Sequence, residues 1–357
     1  MRKCVAAAAL VLCLLLVGCG NVFDGHYTSV KPHEQQNTLS DNQNVSASNY
    51  DQLCSALETL VKSGQTEGVI GIAEYDEDRV TEDINRAITK ITKENPIGAY
   101  AVKSVRFEKG TRAGKAALLV DVEYIHTRAD ILKILHATGM EAAGSLIRNA
   151  LEQCEADLVL LIRDYEQTDF VQLVENYAFE YPQLVMEQPA VAANVYPESG
   201  DDRVVELRFT YQTSRDSLRN MRQQVKPVFE SAMLYVSGDG EQREKYSQLY
   251  SFLMERYDYQ IAGSITPTYS LLRHGVGDSR AFATVYGAMC RQAGLECMMV
   301  SGTRDGESWH WNIICVDGVY YHVNLLEDNF HLRKDTQMSG FVWDYSAYPA
   351  CGVEPVE

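Results

Sequence analysis

Apolar positions in the chain follow two periods, one typical of strands and one typical of helices. The segment at residues 68–75, which is mostly apolar, predicts a buried strand. Val80, Ile84 and Ile91 then recur at helical spacing, and we expect this helix to end before Pro96, since the residue that precedes a proline disfavours helix. Further predicted elements are strands at 99–108 and 116–124, joined by a turn with Gly110 and Gly114, and helices at 129–136 and 141–154.

A second block repeats this order of elements about 90 residues further on. At that separation, Glu74-Tyr75-Asp76 corresponds to Asp164-Tyr165-Glu166. Such a repeat predicts tandem βαββ modules, because each small sheet needs a helix to cover one face. We therefore predict an α+β fold with a duplicated module over residues 49–218, its repeats at about 68–137 and 157–218. The second block has predicted strands at 158–165, 191–196 and 204–211 and a helix at 170–181.

The N-terminus has the pattern of an export signal. Arg2 and Lys3 precede an apolar run at residues 5–17 that is too short to span a bilayer comfortably. The run ends in Leu-Val-Gly-Cys, which resembles the lipobox of bacterial lipoproteins. That resemblance implies a signal peptide at 1–18, a lipid on Cys19 and attachment to the extracytoplasmic face of the cell membrane. An ordinary signal peptide and an uncleaved anchor are the alternatives.

Residues 19–48 are polar and contain almost no apolar runs, so they predict a flexible tether. The whole chain is acidic, with 49 Asp and Glu against 32 Lys and Arg and a net charge of −17. Nucleic-acid binding needs a basic surface that releases counterions, so we expect no nucleic-acid partner. The predicted link to the membrane is the lipid.

Six of the nine cysteines follow the predicted lipidation site. Their spacing is irregular and includes no CxxC pair, so the sequence predicts no metal site and no cofactor. A small buried thiol is the more common role for cysteines within apolar runs. Disulfides remain open, with no pairing favoured among Cys54, Cys154, Cys290, Cys297, Cys315 and Cys351.

The C-terminal part carries a more specific set of motifs. Helical patterns at 218–236 and 246–256 lead to His274-Gly-Val-Gly-Asp-Ser-Arg-Ala, Trp309-His-Trp-Asn and Tyr321-His-Val-Asn. In this order, the motifs resemble the transglutaminase-like domain, which we assign to residues 219–357. The resemblance implies a papain-like α+β fold, in which a helix carries a nucleophilic Cys at its N-terminus. A sheet carries the His and Asp that complete the catalytic triad.

All three catalytic positions of that family are replaced. The family patterns are Gly-Val-Cys-(Asp/Glu)-Gly-Tyr-Ala, His-Ala-Trp-Asn and Tyr-His-Val-Asp. Laid on this chain, they put Cys at Gly277, His at Trp309 and Asp at Asn324. Ser279 lies near the first turn but has no histidine placed to serve it. His310 follows the family's His position, and we expect it to face away from the helix unless the strand has a bulge.

The predicted function therefore has to follow from a site that lacks the family's catalytic groups. The leading hypothesis is a non-catalytic protein of the cell envelope that binds an extracellular peptide, protein or cell-wall ligand. The alternative is an active acyltransferase or peptidase whose catalytic site has moved. The candidate cleft residues are Asp278, Ser279, Trp309, His310 and Asn324.

Overall fold

The computed structural model describes residues 45–261 and 263–353. The predicted signal peptide, Cys19 and most of the predicted tether lie outside these residues. Within the described part of the chain, no helix is long and apolar enough to cross a membrane. The end of the predicted tether differs from expectation, because Val45 pairs with Ile70 in a sheet and Ala47 is buried. Val45 and Ala47 are therefore part of the folded structure.

The first module is a four-stranded sheet covered by helices. Its strand order is β1-β2-β4-β3, with β1 parallel to β2 and the other pairs antiparallel. The helix predicted at 80–91 is present and buries Val80, Ile84 and Ile91. A short helix occupies the start of the strand predicted from residue 99, where Asn95 caps the N–H of Gly98. The elements are β1 Val45–Ser46, α1 Tyr50–Lys62, β2 Glu67–Gly71, α2 Val80–Lys93, α3 Pro96–Ala101, β3 Val102–Arg112 and β4 Lys115–Tyr124.

The second module has the same architecture. Its sheet order is β5-β6-β8-β7, with β5 parallel to β6 and the other pairs antiparallel. Each module thus has one strand and two helices more than the predicted βαββ unit. The elements are α4 Arg128–Leu132, β5 Leu135–Thr138, α5 Gly139–Glu152, β6 Asp157–Arg163, α6 Phe170–Glu180, β7 Ala190–Tyr196 and β8 Arg203–Thr210.

The helix predicted at 129–136 is wrong at its C-terminal end. Thr127 and Asp130 form a capping box that starts α4, but the helix ends at Leu132. Leu135–Thr138 instead form β5, because their backbone groups pair with β6 from Leu160 to Arg163. This long-range pairing decides the structure of a segment whose apolar spacing also fits a helix.

The C-terminal part contains an antiparallel sheet and a buried helix. The sheet order is β13-β12-β11-β14, with every pair antiparallel. One face packs with α9 and its neighbouring helices, and the other face packs around Trp311. The predicted α+β class is confirmed. The elements are α7 Arg215–Tyr235, α8 Gln242–Met254, β9 Asp258–Tyr259, β10 Val276–Gly277, α9 Ser279–Gln292, β11 Cys297–Arg304, β12 Glu307–Val316, β13 Val319–Val323 and β14 Phe341–Val342.

Candidate functional site

The N-terminus of α9 is fixed by Asp278. Its side chain accepts a hydrogen bond from the N–H of Ala281 at 2.9 Å, which is the usual role of an N-cap aspartate. Ser279 is the first helical residue and is buried. Its Oγ accepts a hydrogen bond from the backbone N–H of His310 at 3.2 Å. The helix N-terminus and strand β12 therefore meet at Ser279.

Gly277 does not face this meeting point, contrary to expectation. A Cβ at position 277 would lie 2.9 Å from Cβ of Ala281 and 3.1 Å from Cδ1 of Leu271, so a side chain there would be directed at these residues. The sequence held a signal for the alternative alignment. The family pattern ends in an aromatic residue and Ala, and Phe282-Ala283 supply this pair. Counting back from them puts the family's Cys at Ser279.

Trp309 and Asn324 are in contact, as the family positions of His and Asp would be. Nε1 of Trp309 donates a hydrogen bond to Oδ1 of Asn324 at 3.1 Å, and Nδ2 of Asn324 donates to Glu327 at 3.0 Å. The Trp309 ring also lies 5.6 Å from that of Tyr259 and 5.2 Å below the Arg304 guanidinium. An indole N–H only donates, so Trp309 cannot accept a proton from a nucleophile.

His310 faces α9 without any bulge, so the expectation that it needs one is wrong. β12 pairs with β11 in continuous register from Ile314 to Glu307. Asn312, two residues after His310 and hence on the same face, donates a hydrogen bond to the carbonyl of Ala283 in α9. Burial lowers the pKa of His310, Arg280 lowers it further and Asp278 opposes them, so the imidazole is neutral at pH 7.

The neutral imidazole of His310 is not coupled to Ser279. Within the described residues, the only hydrogen bond between the two uses the backbone N–H of His310. Of the five candidate cleft residues, the structure thus brings together Asp278, Ser279 and His310 at the helix, and it joins Trp309 to Asn324.

A second polar cluster, which the sequence analysis missed, lies under the sheet. Ligand atoms of His322, Asp335 and Cys351 lie within 4.8 Å of one another, which is close enough to share a metal ion. Nε1 of Trp311 donates to Nδ1 of His322 at 2.9 Å, and Nε2 of His322 lies 2.8 Å from Asp335. Because Nδ1 accepts, a neutral His322 carries its proton on Nε2 and donates it to Asp335, which leaves neither nitrogen free for a metal.

The Cys351 thiol is protonated in this cluster, so it is neither a nucleophile nor a ready metal ligand. Burial raises the pKa of its thiol to about 12, so almost no thiolate exists at pH 7. Burial also lowers the pKa of His322, against the opposing effect of Asp335. The geometry therefore favours a structural hydrogen-bond network that orients Trp311 and the segment after β13.

Comparison with known proteins assigns the domain type. Residues 232–338 match the model of the transglutaminase-like superfamily, so the chain contains a transglutaminase-like domain in its C-terminal part. No curated protein matches the chain. The predicted resemblance is confirmed at the level of the domain.

Three solved structures are similar to parts of the chain. A TGase structure is 10% identical with a TM-score of 0.27, covering 57% of this chain and 62% of its own. A candidate cysteine protease from Cytophaga hutchinsonii is 12% identical with a TM-score of 0.27, and the match covers 43% of this chain and 65% of the protease. A candidate protease from Parabacteroides distasonis is 10% identical with a TM-score of 0.24, and the match covers 75% of this chain and 44% of the protease. The chain thus spans less than two thirds of each of these structures.

Proposed function

We propose that this chain is a lipid-anchored protein of the cell envelope whose transglutaminase-like domain binds a ligand without acyl-transfer chemistry. The observation that carries the proposal is the hydrogen bond from Trp309 to Asn324. It joins the two positions at which the family has its His and Asp. A donor-only indole there supplies no general base, and an alcohol without a base is a poor nucleophile.

The environment of Ser279 supports the same conclusion. Its Oγ is buried and accepts from a backbone N–H, which stabilises a hydroxyl in place and does not remove its proton. The site is still packed around the residue at the family's His position, because Trp309 contacts Tyr259, Arg304 and Asn324. A domain that lacks the catalytic groups but keeps a well-packed site is expected to bind a ligand without reacting with it.

The second candidate is a serine-type acyl hydrolase or transferase with a relocated base. One observation favours it, namely that His310 shares the α9 face of β12 with Asn312 and is neutral at pH 7. A rotation of the imidazole toward Ser279 would create a Ser-His dyad. This candidate predicts a reactive Ser279, whereas the leading proposal predicts an inert one.

We expect the full chain to be unreactive toward a fluorophosphonate probe and to hydrolyse no p-nitrophenyl ester above the level of Ser279→Ala. The reason is that no group within the described residues takes the proton of Ser279. The measurement is mass-spectrometric mapping of the peptide that contains residue 279, beside ester turnover of both proteins. Labelling of Ser279 that disappears in His310→Ala would establish the relocated dyad instead.

We expect Cys19→Ser to abolish lipid attachment, since the lipidated thiol is missing. The wild-type chain should partition into the detergent phase of a Triton X-114 extraction, and the variant should partition into the aqueous phase or remain unprocessed. Cys54→Ser serves as the matched control and should behave like the wild type. Detergent-phase partition of a cleaved Cys19→Ser protein would contradict the anchor.

A further inference from the structure

A cavity of about 330 Å³ lies between the second module and the transglutaminase-like domain. One wall is the end of α6 and the segment that follows it, and the opposite wall is the 264–268 segment with the first turns of α9. Its volume is at the lower end of the range of about 300–1,000 Å³ typical of small-molecule sites. It lies beside Ser279, because its lining residue Arg280 is the next residue of the helix.

The walls are held by hydrogen bonds within the second module and by others that join it to α9. Arg291, three turns along α9 from Arg280, donates to the carbonyls of Phe179 and Glu180 at the end of α6. Glu187 is buried and accepts from the backbone N–H groups of Gln212 and Thr213. The cavity is therefore a preformed feature of the packing.

Arg280 supplies a positive charge without an anionic partner. Nη2 donates to Oε1 of Gln188 at 2.6 Å, and the guanidinium lies 4.7 Å from the centre of the Phe179 ring. Among the described residues, no carboxylate is within 4.0 Å of this group. These two contacts fix the plane of the guanidinium, which favours bidentate binding of a carboxylate.

The rest of the lining suits a peptide. Gln188, Gln212 and the hydroxyl of Thr268, a residue only 2% exposed, can bond to amide groups, whereas Met186 and Ile265 are apolar. The one carboxylate in the lining, Glu187, already binds two backbone N–H groups.

We propose that this cavity binds a short peptide through its free C-terminal carboxylate, with Arg280 as the anchor. The proposal deepens the binding function given above and rests on it. It names a site apart from the Trp309–Asn324 pair and uses residues of the second module. The duplicated region thereby contributes directly to recognition, since Gln188 and Gln212 belong to it.

Calorimetric titration of the detergent-solubilised full chain with alanyl-alanine tests the proposal. We expect binding that is millimolar or tighter, and at least about tenfold weaker binding of the C-terminal amide, because the amide lacks the charge that Arg280 recognises. Arg280→Gln should lose at least about tenfold in affinity, and Arg280→Lys should recover only part of that loss, because an ammonium group keeps the charge but cannot bind a carboxylate bidentately. Arg208→Gln, an exposed arginine of β8, is the matched control and should bind like the wild type.

A second variant keeps the test decisive if Arg280→Gln unfolds. Ile265 is 50% exposed at the cavity, so Ile265→Trp should fill the opening at little cost to folding and should abolish binding. Absence of dipeptide binding, equal affinity for acid and amide, or unchanged binding by a folded Arg280→Gln or Ile265→Trp would overturn the site. Failure of the non-catalytic proposal would be seen separately, as labelling of Ser279 by the fluorophosphonate.

Discussion

Trp311→Ala is expected to lower the free energy of unfolding of the transglutaminase-like domain by about 3–5 kcal/mol. Trp311 is fully buried and packs edge-on against Phe341 and Trp343, with ring centroids 5.1 and 5.7 Å away. Truncation would leave a cavity in this cluster. It would also leave Nδ1 of His322 without its donor, which adds a desolvation penalty for a buried polar atom.

Urea unfolding followed by tryptophan fluorescence measures this effect. The three tryptophans of the chain are Trp309, Trp311 and Trp343, so the signal comes from this domain and survives the loss of one of them. Val342→Ala in the neighbouring strand is the control, because its side chain is 63% exposed and should cost no more than about 0.5 kcal/mol. Trp311→Phe keeps most of the volume and isolates the hydrogen bond. Equal stability of Trp311→Ala and Val342→Ala would refute the packing described.

The triple variant Ser279→Cys, Trp309→His and Asn324→Asp is expected to produce a reactive thiol. A free cysteine has a pKa of about 8.5, and a helix N-terminus together with an imidazole should bring the pKa at position 279 to about 6.5 or below. At pH 6.5 we expect iodoacetamide to label Cys at 279 about tenfold faster than in Ser279→Cys alone, because the thiolate fraction rises while its intrinsic nucleophilicity falls somewhat.

Rates are obtained from the pH profile of labelling at the peptide that contains residue 279, so the native cysteines do not interfere. The matched control is Gly277→Cys with the same changes at 309 and 324. Its thiol would be directed at Leu271 and Ala281, and we expect slower labelling there. Faster labelling at 277 than at 279 would show that the nucleophile position is Gly277, as the first alignment of the motif implied.

Strongly periodic segments could be predicted from the sequence. The helix expected at 80–91 is α2, and the strands expected at 99–108 and 116–124 form the hairpin β3–β4. Their apolar spacing and capping residues act over a few positions, so local physical chemistry is sufficient to determine them. The short strands β1 and β5 could not be found in this way, because their partners lie more than twenty residues along the chain.

In the candidate site, too, some features could be predicted from the sequence and others depend on the tertiary structure. The motifs predict that Trp309 replaces a catalytic His and that Asn324 replaces an Asp, since residue identities are read directly from the sequence. Which side chain at the start of α9 meets β12 depends on the docking of the helix, and that docking favours Ser279 over Gly277. His310 turns toward α9 because the register of β12 on β11 fixes its face.

The sequence by itself determined the domain type and the acidic character of the chain, and it predicted that the usual catalytic residues are replaced. Only the tertiary structure decided where a ligand has room to bind. The cavity at Arg280 is bounded by residues from 178 to 284, and of these only Arg280 lies in one of the motifs. Motifs record chemistry that is local in the chain, whereas a cavity arises from the packing of distant segments, which no local pattern encodes.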